Sequence, residues 1–522
     1  MTLSRWLARP LSLALAGACA ALVSLAARPP ASAPAQPAGP APTVFPPAAQ
    51  VERGRYLVAL GDCMSCHTAR DGAPLAGGRP IETPFGTVLS ANLTPDDATG
   101  IGRYTAESFY RALHEGIDRE GRHLYPAFPY NYYTRIARED SDAIFAYLHS
   151  LHPVPNPLER NRLRFPFNVR ALMAAWNLLF LDTGPFRTDP AKSAQWNRGA
   201  YIVESLGHCQ ACHTPKNLFG ADRRSQAFQG GAFGTWFAPD ITPDRRTGIG
   251  GWSDEQLAEF MRRGANVHSA ASGEMGEVVA YSTSRMNDAD LAATVAYLRS
   301  VAPSSPGPAP GAPEPAVMKQ GRAVWEDECA ACHQMDGRGV ERLFPALKGN
   351  PNLQQREATT VLHLVLAGGR RATTDAAPGA LAMPAFHWKL GDAQVAAVAT
   401  YARNAWGNAA PAVTPREVAR LRDALALAPQ RPPAGPPGQD LKQPGAASLG
   451  RAGTDSRDNG SANAGRPAAP DAVLATAAAA SAASAASAAS AASAPANAAS
   501  APPDTSPTRH DPPGGPSTGG PG

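Results

Sequence analysis

The sequence predicts an all-α protein with three tandem units, which we place at residues 48–155, 191–302 and 316–425. Three observations support this prediction. The beginnings of the three units align with one another, each unit closes with an amphipathic helical pattern that holds one tyrosine, and strands are hardly indicated anywhere. A duplicated ancestral unit is the simplest explanation of this organisation.

Composition limits the class of protein further. The chain has 522 residues, of which 43% are hydrophobic and 18% charged, with 48 glycines and 52 prolines. No Gly-x-y period, sustained heptad or membrane-length apolar run follows residue 30, which excludes collagen, a coiled coil and an all-helical membrane protein. The formal net charge is only +4, and we see no clustered basic face of the kind that nucleic-acid binding usually shows, so we expect no nucleic-acid partner.

The N-terminus is typical of an exported protein. Arg5 and Arg9 precede an apolar stretch that ends near residue 27, which predicts a signal peptide over residues 1–27 and a Pro/Ala-rich linker over residues 28–47. An uncleaved membrane anchor and a lipoprotein signal ending at Cys19 are the alternatives. All three export the chain, so we expect it in the periplasm, in association with the cytoplasmic membrane.

The three units begin in similar ways. The first starts Glu52-Arg-Gly-Arg-Tyr-Leu, the second Asn197-Arg-Gly-Ala-Tyr-Ile and the third Gln320-Gly-Arg-Ala-Val-Trp. Each opening segment therefore carries an early glycine, at Gly54, Gly199 and Gly321. Since glycine has no side chain to hold two backbones apart, we expect a closing helix to cross the first helix at this point.

The rest of each unit follows from local patterns. Closing helices are predicted over residues 140–151, 288–301 and 392–406, and a capping box at Ser253 starts a middle helix that stops near Gly264. Pro-rich stretches predict linkers over residues 156–190 and 303–315. No aromatic residue follows Trp406, and the Ala/Ser/Pro-rich segment over residues 426–522 is predicted to be a disordered tail.

Six of the seven cysteines share one pattern, Cys-x-x-Cys-His, once in each unit. The sites are Cys63, Cys66 and His67; Cys209, Cys212 and His213; and Cys329, Cys332 and His333. This pattern attaches haem c: the two thiols add to the vinyl groups and the histidine becomes the proximal iron ligand. Zinc would need two such pairs brought together, and a thioredoxin-like redox pair would need a βαβ setting. We therefore predict three covalently bound haem c groups.

A sixth iron ligand is expected at each haem, and methionine is common in electron-transfer cytochromes. Met383, just before the closing helix, is the candidate in the third unit. Met275 is favoured in the second unit, with Met286 as the alternate. Either methionine of the second unit could instead fill the core, because methionine suits irregular gaps.

The first unit differs from the other two. It has no methionine between Met64 and Met173, and the equivalent loop, which starts at Leu124, is aromatic. His123 is the first candidate for the distal ligand, His114 is the second, and a site with neither is the third. We expect this haem to have a lower potential than the others or to be five-coordinate.

Several longer motifs carry a family resemblance. They are Asn92-Leu-Thr-Pro-Asp with Thr-Gly-Ile-Gly, Leu124-Tyr-Pro-Ala-Phe-Pro-Tyr, Met275-Gly-Glu-Val-Val, Phe344-Pro-Ala-Leu-Lys-Gly-Asn, and Met383-Pro-Ala-Phe through Trp406-Gly-Asn. Through them, residues 51–422 resemble the triple-haem cytochrome c subunit of bacterial membrane-bound dehydrogenases that oxidise alcohols, gluconate or sorbitol. Similar subunits accompany molybdenum hydroxylases of the nicotinate and isoquinoline type.

The resemblance implies three class I cytochrome c-like domains that carry electrons from a dehydrogenase large subunit to ubiquinone or another respiratory-chain acceptor. It also implies that the Pro345 carbonyl orients His333. On this interpretation the chain is a non-catalytic subunit. The alternatives are a free periplasmic electron shuttle and a haem enzyme whose first haem is open.

Overall fold

The computed structural model describes residues 47–305, 307, 310–379 and 381–427. The signal peptide predicted over residues 1–27, most of the linker over residues 28–47 and all but the first two residues of the predicted tail lie outside the described residues. Within the described ranges, the structure has no helix that combines the length and the apolar character needed to cross a bilayer.

Each unit is a set of helices with short strands. The first contains α1 (Ala48–Leu60), α2 (Cys63–His67), β1 (Pro80–Thr83), β2 (Gly86–Leu89), α3 (Ala106–Glu115), α4 (Tyr130–Tyr133) and α5 (Arg138–His149). It is followed by β3 (Arg162–Leu163) and α6 (Leu172–Phe180). The second contains α7 (Ala194–Tyr201), which continues as a π-helix over Ile202–Leu206, then α8 (Gln210–His213), β4 (Gln229–Phe233), β5 (Trp236–Asp240), α9 (Asp254–Arg263), α10 (Gly273–Tyr281) and α11 (Asp288–Ser300).

The third unit repeats the plan. It contains α12 (Pro315–Glu328), α13 (Ala330–His333), α14 (Pro351–Gln354), α15 (Thr359–Ala367), β6 (Gly369–Arg370), β7 (Ala382–Met383) and α16 (Asp392–Ala402), and α17 (Pro415–Ala424) packs behind it. Short 3-10 turns lie at Arg224–Gln226 and Thr283–Arg285. The predicted helix boundaries at Ser253 and Gly264 are confirmed: Ser253 and Gln256 form a capping box, and Gly264 ends α9 with a φ of 70°.

The first and closing helices of every unit cross at the early glycine. A Cβ added at Gly54, Gly199 or Gly321 would fall well inside the van der Waals radius of a backbone carbonyl oxygen of the closing helix, at Ala143, Ala293 and Ala397 respectively. The predicted close crossing is therefore confirmed in all three units. No larger residue can stand at these positions unless the two helices move apart.

The prediction of an all-α fold needs a correction, because the described residues form three small antiparallel sheets besides the helices. β2 pairs with both β1 and β3, β4 pairs with β5, and β6 pairs with β7. Their registers set Ile81 opposite Val88, Gln229 opposite Asp240 and Gly369 opposite Met383. These strands have at most five residues, too few for an alternating pattern to be visible in the sequence.

The segment over residues 156–190, which the sequence predicts to be a linker, also carries structure. β3 extends the first sheet, and α6 buries Trp176 beside Tyr130 and Ala221. The Pro-rich flanks of this segment conceal the apolar helix between them. In the second predicted linker, residues 303–315, the described residues before Pro315 are non-helical, and α12 begins at Pro315.

The first two units share a single hydrophobic core, whereas the third has its own. A reciprocal pair of contacts joins the first two. Asp140 accepts hydrogen bonds from Arg53 of its own unit and from the Tyr201 hydroxyl of the other, each at 2.7 Å. Asp290 does the same with Arg198 of its own unit and Tyr56 of the other, again at 2.7 Å.

These two contacts occupy equivalent places in the repeat, so the first two units meet through a pseudo-twofold interface. Burial and the hydrogen bond to Asp290 raise the pKa of the Tyr56 hydroxyl to about 12. Burial alone would raise the pKa of Asp290, but the hydrogen bonds from Arg198 and Tyr56 outweigh burial and the pKa falls below its usual value.

The third unit lacks all three side chains that make this interface. Counted from its early glycine and from the crossing alanine, the equivalent positions hold Gln320, Ala323 and Gln394. It contacts the second unit by other means: Thr360 exchanges hydrogen bonds with the backbone of Phe237, and His363 stacks on Trp236 with ring centroids 3.7 Å apart.

Replacing the crossing glycine should destabilise the protein. Gly199→Ala places a methyl group against the Ala293 carbonyl, and overpacking of this kind costs about 1–3 kcal/mol, more than the ~1 kcal/mol that alanine gains in helix propensity. We expect thermal unfolding, followed by circular dichroism, to shift to a lower temperature. Gly251→Ala is the matched control, because its nearest neighbour would be 3.6 Å away, and an equal shift in both variants would contradict the crossing.

Removing one tyrosine hydroxyl from the pseudo-twofold interface should also lower stability. Tyr201→Phe deletes a hydrogen bond to a charged carboxylate, worth about 1.5–3 kcal/mol. Chemical unfolding should show this loss, and Tyr56→Phe should show a similar one because it occupies the equivalent position. If only one of the two variants is destabilised, the two halves of the interface are not equivalent.

Candidate haem-binding sites

Each Cys-x-x-Cys-His motif lies on a short helical turn that follows the first helix of its unit. α2 spans the motif of the first unit, and in the second and third units Cys209 and Cys329 immediately precede α8 and α13. Residues three apart lie on one face of a helix, so the two thiols of each motif are neighbours. All six cysteines are free thiols.

The histidine of each motif is held by a backbone carbonyl at one ring nitrogen. Nδ1 of His67 lies 2.6 Å from the Ala91 oxygen, Nδ1 of His213 lies 2.7 Å from the Pro239 oxygen, and Nδ1 of His333 lies 3.1 Å from the Pro345 oxygen. A carbonyl can only accept, so Nδ1 carries the proton and donates it. Nε2 is then left with a lone pair, as an iron ligand requires.

In the first two units, the small sheets position the carbonyl that accepts the hydrogen bond from the motif histidine. Ala91 lies two residues beyond the end of β2, and Pro239 lies within β5. In the third unit a bridge between Val340 and Phe344 leads directly into Pro345. These short strands, which the sequence did not predict, therefore orient the histidines.

Protonation states at the motifs favour attachment of a cofactor over thiol redox chemistry. Burial lowers the pKa of His67, His213 and His333, so each imidazole is neutral and able to bind iron. Burial raises the pKa of Cys63 to about 12 and that of Cys209 to about 11. A redox Cys-x-x-Cys pair has a lowered thiol pKa instead, so these two thiols do not resemble those of such a pair.

Met383, the predicted distal ligand of the third unit, is the second residue of β7. Its backbone pairs with Gly369, and it is partly buried. The strand pairing fixes the position of Met383 relative to α15, which precedes β6. Phe386, three residues later, packs against the core of the third unit.

The two methionines of the second unit have different environments. Met286 is buried in the shared core, and its sulfur lies 3.9 Å from the Thr294 hydroxyl. Met275 is partly buried on α10, where it packs against Ala271, Val279 and Ala372. Met286 thus has the surroundings of a core residue.

α10 also contacts the attachment helix of the first unit, α2. Arg79 mediates this contact: it donates to the Ser65 carbonyl at 2.5 Å and forms ion pairs with Glu277 and, at 3.1 Å, with Glu274. Met275 lies between these two glutamates in the sequence. The predicted ligand of the second haem is therefore on a helix that also borders the first attachment motif.

Each of the two histidine candidates of the first unit has one ring nitrogen without a hydrogen-bond partner among the described residues. His114 is buried on α3 and stacks on Tyr110, and its Nε2 has no hydrogen-bond partner among the described residues. His123 is partly buried and forms a bridge with Ile117, and its Nδ1 likewise lacks a partner in the described part of the chain. Burial lowers the pKa of His114 to about 4, so this ring is neutral.

The aromatic loop of the first unit is fixed by hydrogen bonds. The Tyr130 hydroxyl donates to Asn177 Oδ1 and the Tyr132 hydroxyl to Asp222 Oδ2, both at 2.6 Å. The Tyr133 hydroxyl donates to the Gly61 carbonyl at 3.2 Å, two residues before the first attachment cysteine. Phe128 packs between these rings, with centroids 6.4 Å from Tyr130 and 5.5 Å from Tyr133.

Two residues near the motifs were not predicted from the sequence. Arg79 is one, and no local pattern marks it, because its partners lie about two hundred residues away. His208 is the other; it precedes Cys209 with a φ of 33° and meets the Tyr133 ring edge-on, with ring centroids 5.5 Å apart. Its position next to an attachment cysteine is a signal that could have been noticed.

Comparison with known proteins agrees with this geometry. A cytochrome c family model matches residues 197–302 and 318–406. The chain is 37% identical over 395 residues to the gluconate 2-dehydrogenase cytochrome c subunit of Pantoea cypripedii, an alignment that covers 72% of this chain and 90% of the relative.

Two further relatives extend the range of dehydrogenases. The cytochrome c subunit of alcohol dehydrogenase (quinone) from Gluconacetobacter polyoxogenes is 37% identical, with 72% of this chain and 84% of the relative covered. A nicotinate dehydrogenase subunit of Pseudomonas putida is 41% identical over 374 residues, which cover 70% of this chain and 31% of that protein. The chain belongs to the family of dehydrogenase cytochrome c subunits.

Proposed function

We propose that this protein is a periplasmic, membrane-associated subunit that carries electrons from a dehydrogenase large subunit to the respiratory chain. One observation carries the proposal: in all three units, a pair of neighbouring thiols adjoins a neutral histidine whose Nδ1 is bound to a backbone carbonyl. This arrangement fits three class I cytochrome c-like domains, each with one covalent haem c.

The chain's own residues fix the electron carriers and leave the chemistry to the partner. Covalently bound haem supplies one-electron transfer at its iron. The six cysteines would hold the three groups, and His67, His213 and His333 would present Nε2 to the metal. Met383 and Met275 are the proposed distal ligands, with Met286 as the alternate, and His123 is proposed for the first unit.

The relatives support the choice of partner and acceptor. Their names describe subunits of gluconate, alcohol and nicotinate dehydrogenases, so a dehydrogenase large subunit is the proposed partner here. The name of the alcohol dehydrogenase includes a quinone, which supports ubiquinone as the acceptor. The predicted export signal supports the periplasm, where thioether attachment takes place in bacteria.

The proposal predicts that a dehydrogenase co-purifies with this chain. Affinity purification of the full-length protein from detergent-treated membranes of its native host should yield a second, larger subunit at a fixed ratio, and a haem assay should give three covalent haems per chain. Addition of gluconate, an alcohol or nicotinate, whichever the partner oxidises, should reduce the haems.

The double variant Cys329→Ala with Cys332→Ala should retain two haems per chain. A chain that purifies alone and soluble would contradict the subunit assignment.

Three methionine variants test which methionine is the distal iron ligand in the second and third units. Loss of a methionine ligand should lower the potential of one haem, because methionine ligation raises it. We therefore expect Met383→Ala and Met275→Ala each to remove one low-spin histidine–methionine signal from the electron paramagnetic resonance spectrum and to lower one midpoint potential. Met286→Ala is the matched control and should mainly reduce stability. An altered haem signal in Met286→Ala, with none in Met275→Ala, would reverse the assignment in the second unit.

A further inference from the structure

α6 is apolar apart from Asn177, although only part of its surface is buried. Trp176 faces the protein, and Met173 and Phe180 pack beside it. Away from this buried face, Leu178 is 85% exposed and Leu179 is 70% exposed. A surface helix normally shows polar residues to solvent, so a helix whose exposed residues are apolar indicates a second apolar environment outside the protein.

Exposed apolar side chains from three parts of the chain lie beside this helix. We call them the apolar ridge, which consists of Phe165, Phe167, Leu178, Leu179, Leu218 and Phe219. Two of them contact neighbouring rings: the Phe219 ring lies 5.9 Å from that of Phe180 on α6, and the Phe167 ring lies 4.6 Å from that of Phe85. Phe85 in turn lies against Gly220. A group of large exposed apolar side chains around one helix marks an interaction surface.

The ridge is firmly attached to the protein. Trp176 Nε1 donates to the Phe219 carbonyl at 3.0 Å, and the Tyr130 hydroxyl donates to Asn177 at 2.6 Å. Asn177 also donates to the Glu115 carbonyl at 3.2 Å. The exposed leucines therefore protrude from a fixed helix whose inward side is hydrogen-bonded to both of the first two units.

The segment that leads into α6 is basic. Arg160, Arg162 and Arg164 are exposed, and the sequence has no acidic residue from Arg160 to Leu181. In the described part of the chain none of these three arginines forms an ion pair with a carboxylate. Unpaired cations beside an apolar surface complement anionic lipid headgroups above acyl chains.

We propose that the apolar ridge and the three arginines dock the protein onto an anionic lipid surface, with α6 lying in the plane of the interface. Nine residues of helix span about 13.5 Å, less than half of the ~30 Å apolar core of a bilayer, so α6 lies on the membrane and does not cross it. The inference rests on the proposed membrane association and assigns it a surface.

Vesicle binding tests the assignment. The full-length protein with its haems is sedimented with vesicles of phosphatidylglycerol and phosphatidylethanolamine, and in parallel with vesicles of phosphatidylcholine. We expect Leu178→Glu to weaken partition into both kinds of vesicle by about tenfold, because it places a charge at the centre of the ridge. Replacing Arg160, Arg162 and Arg164 together by glutamine should weaken binding to the anionic vesicles and leave binding to phosphatidylcholine unchanged.

Trp388→Glu is the matched control, since Trp388 is 68% exposed and lies outside the ridge. It should bind vesicles as the wild type does. All variants should keep the wild-type haem spectrum and unfolding temperature, because the altered side chains are exposed. If Leu178→Glu binds vesicles as tightly as the wild type, the proposal is overturned. It is also overturned if that variant loses the dehydrogenase while vesicle binding persists, because the ridge is then a protein interface.

Reduction of the haems separates this inference from the proposed function. In detergent, substrate should reduce the haems of Leu178→Glu through the co-purified dehydrogenase as it does in the wild type. If substrate reduces the haems of Leu178→Glu and this variant binds vesicles as the wild type does, only the docking surface is rejected. Failure of substrate to reduce the wild-type haems rejects the proposed function, whatever the vesicles show.

Discussion

The close crossing of two helices at a glycine is the constraint on which each unit depends. The first helix ends within a few residues of the attachment motif, so its position against the closing helix decides where the two thiols and the histidine lie. Because the crossing brings the glycine against a backbone carbonyl, the helix separation is set by main-chain atoms and not by adaptable side chains. The same geometry recurs in all three units, where the glycine meets an alanine carbonyl and the Cβ of a tyrosine on the closing helix.

The second requirement is a carbonyl at the correct place for each histidine. Three different local structures provide it: the residues after β2, the interior of β5 and the turn that ends at Pro345. Each fixes the same tautomer, while burial keeps the ring neutral. At Cys63 and Cys209 burial also raises the thiol pKa, and a protonated thiol exchanges slowly with other thiols.

Much of this could be predicted from the sequence because it is written in local patterns. The Cys-x-x-Cys-His motifs, the crossing glycines, the closing helices and the capping box at Ser253 each occupy a short window. The missed features depend on residues that are distant along the chain. Arg79 donates a hydrogen bond to Glu274, and Tyr56 donates one to Asp290. α6 is held in place because Trp176 packs against Tyr130. The sheets could not be predicted for another reason, since two to five residues carry too little periodicity.

Because the first two units share one hydrophobic core, they form one folded body and not two. Three motifs suggest three separable modules, but Leu57 and Val58 of the first unit belong to the same apolar cluster as Ile202 and Leu298 of the second. Neither of these units can lose its neighbour without exposing that cluster to water. We therefore expect the first two units to unfold together, whereas the third has a core of its own besides its contacts with the second.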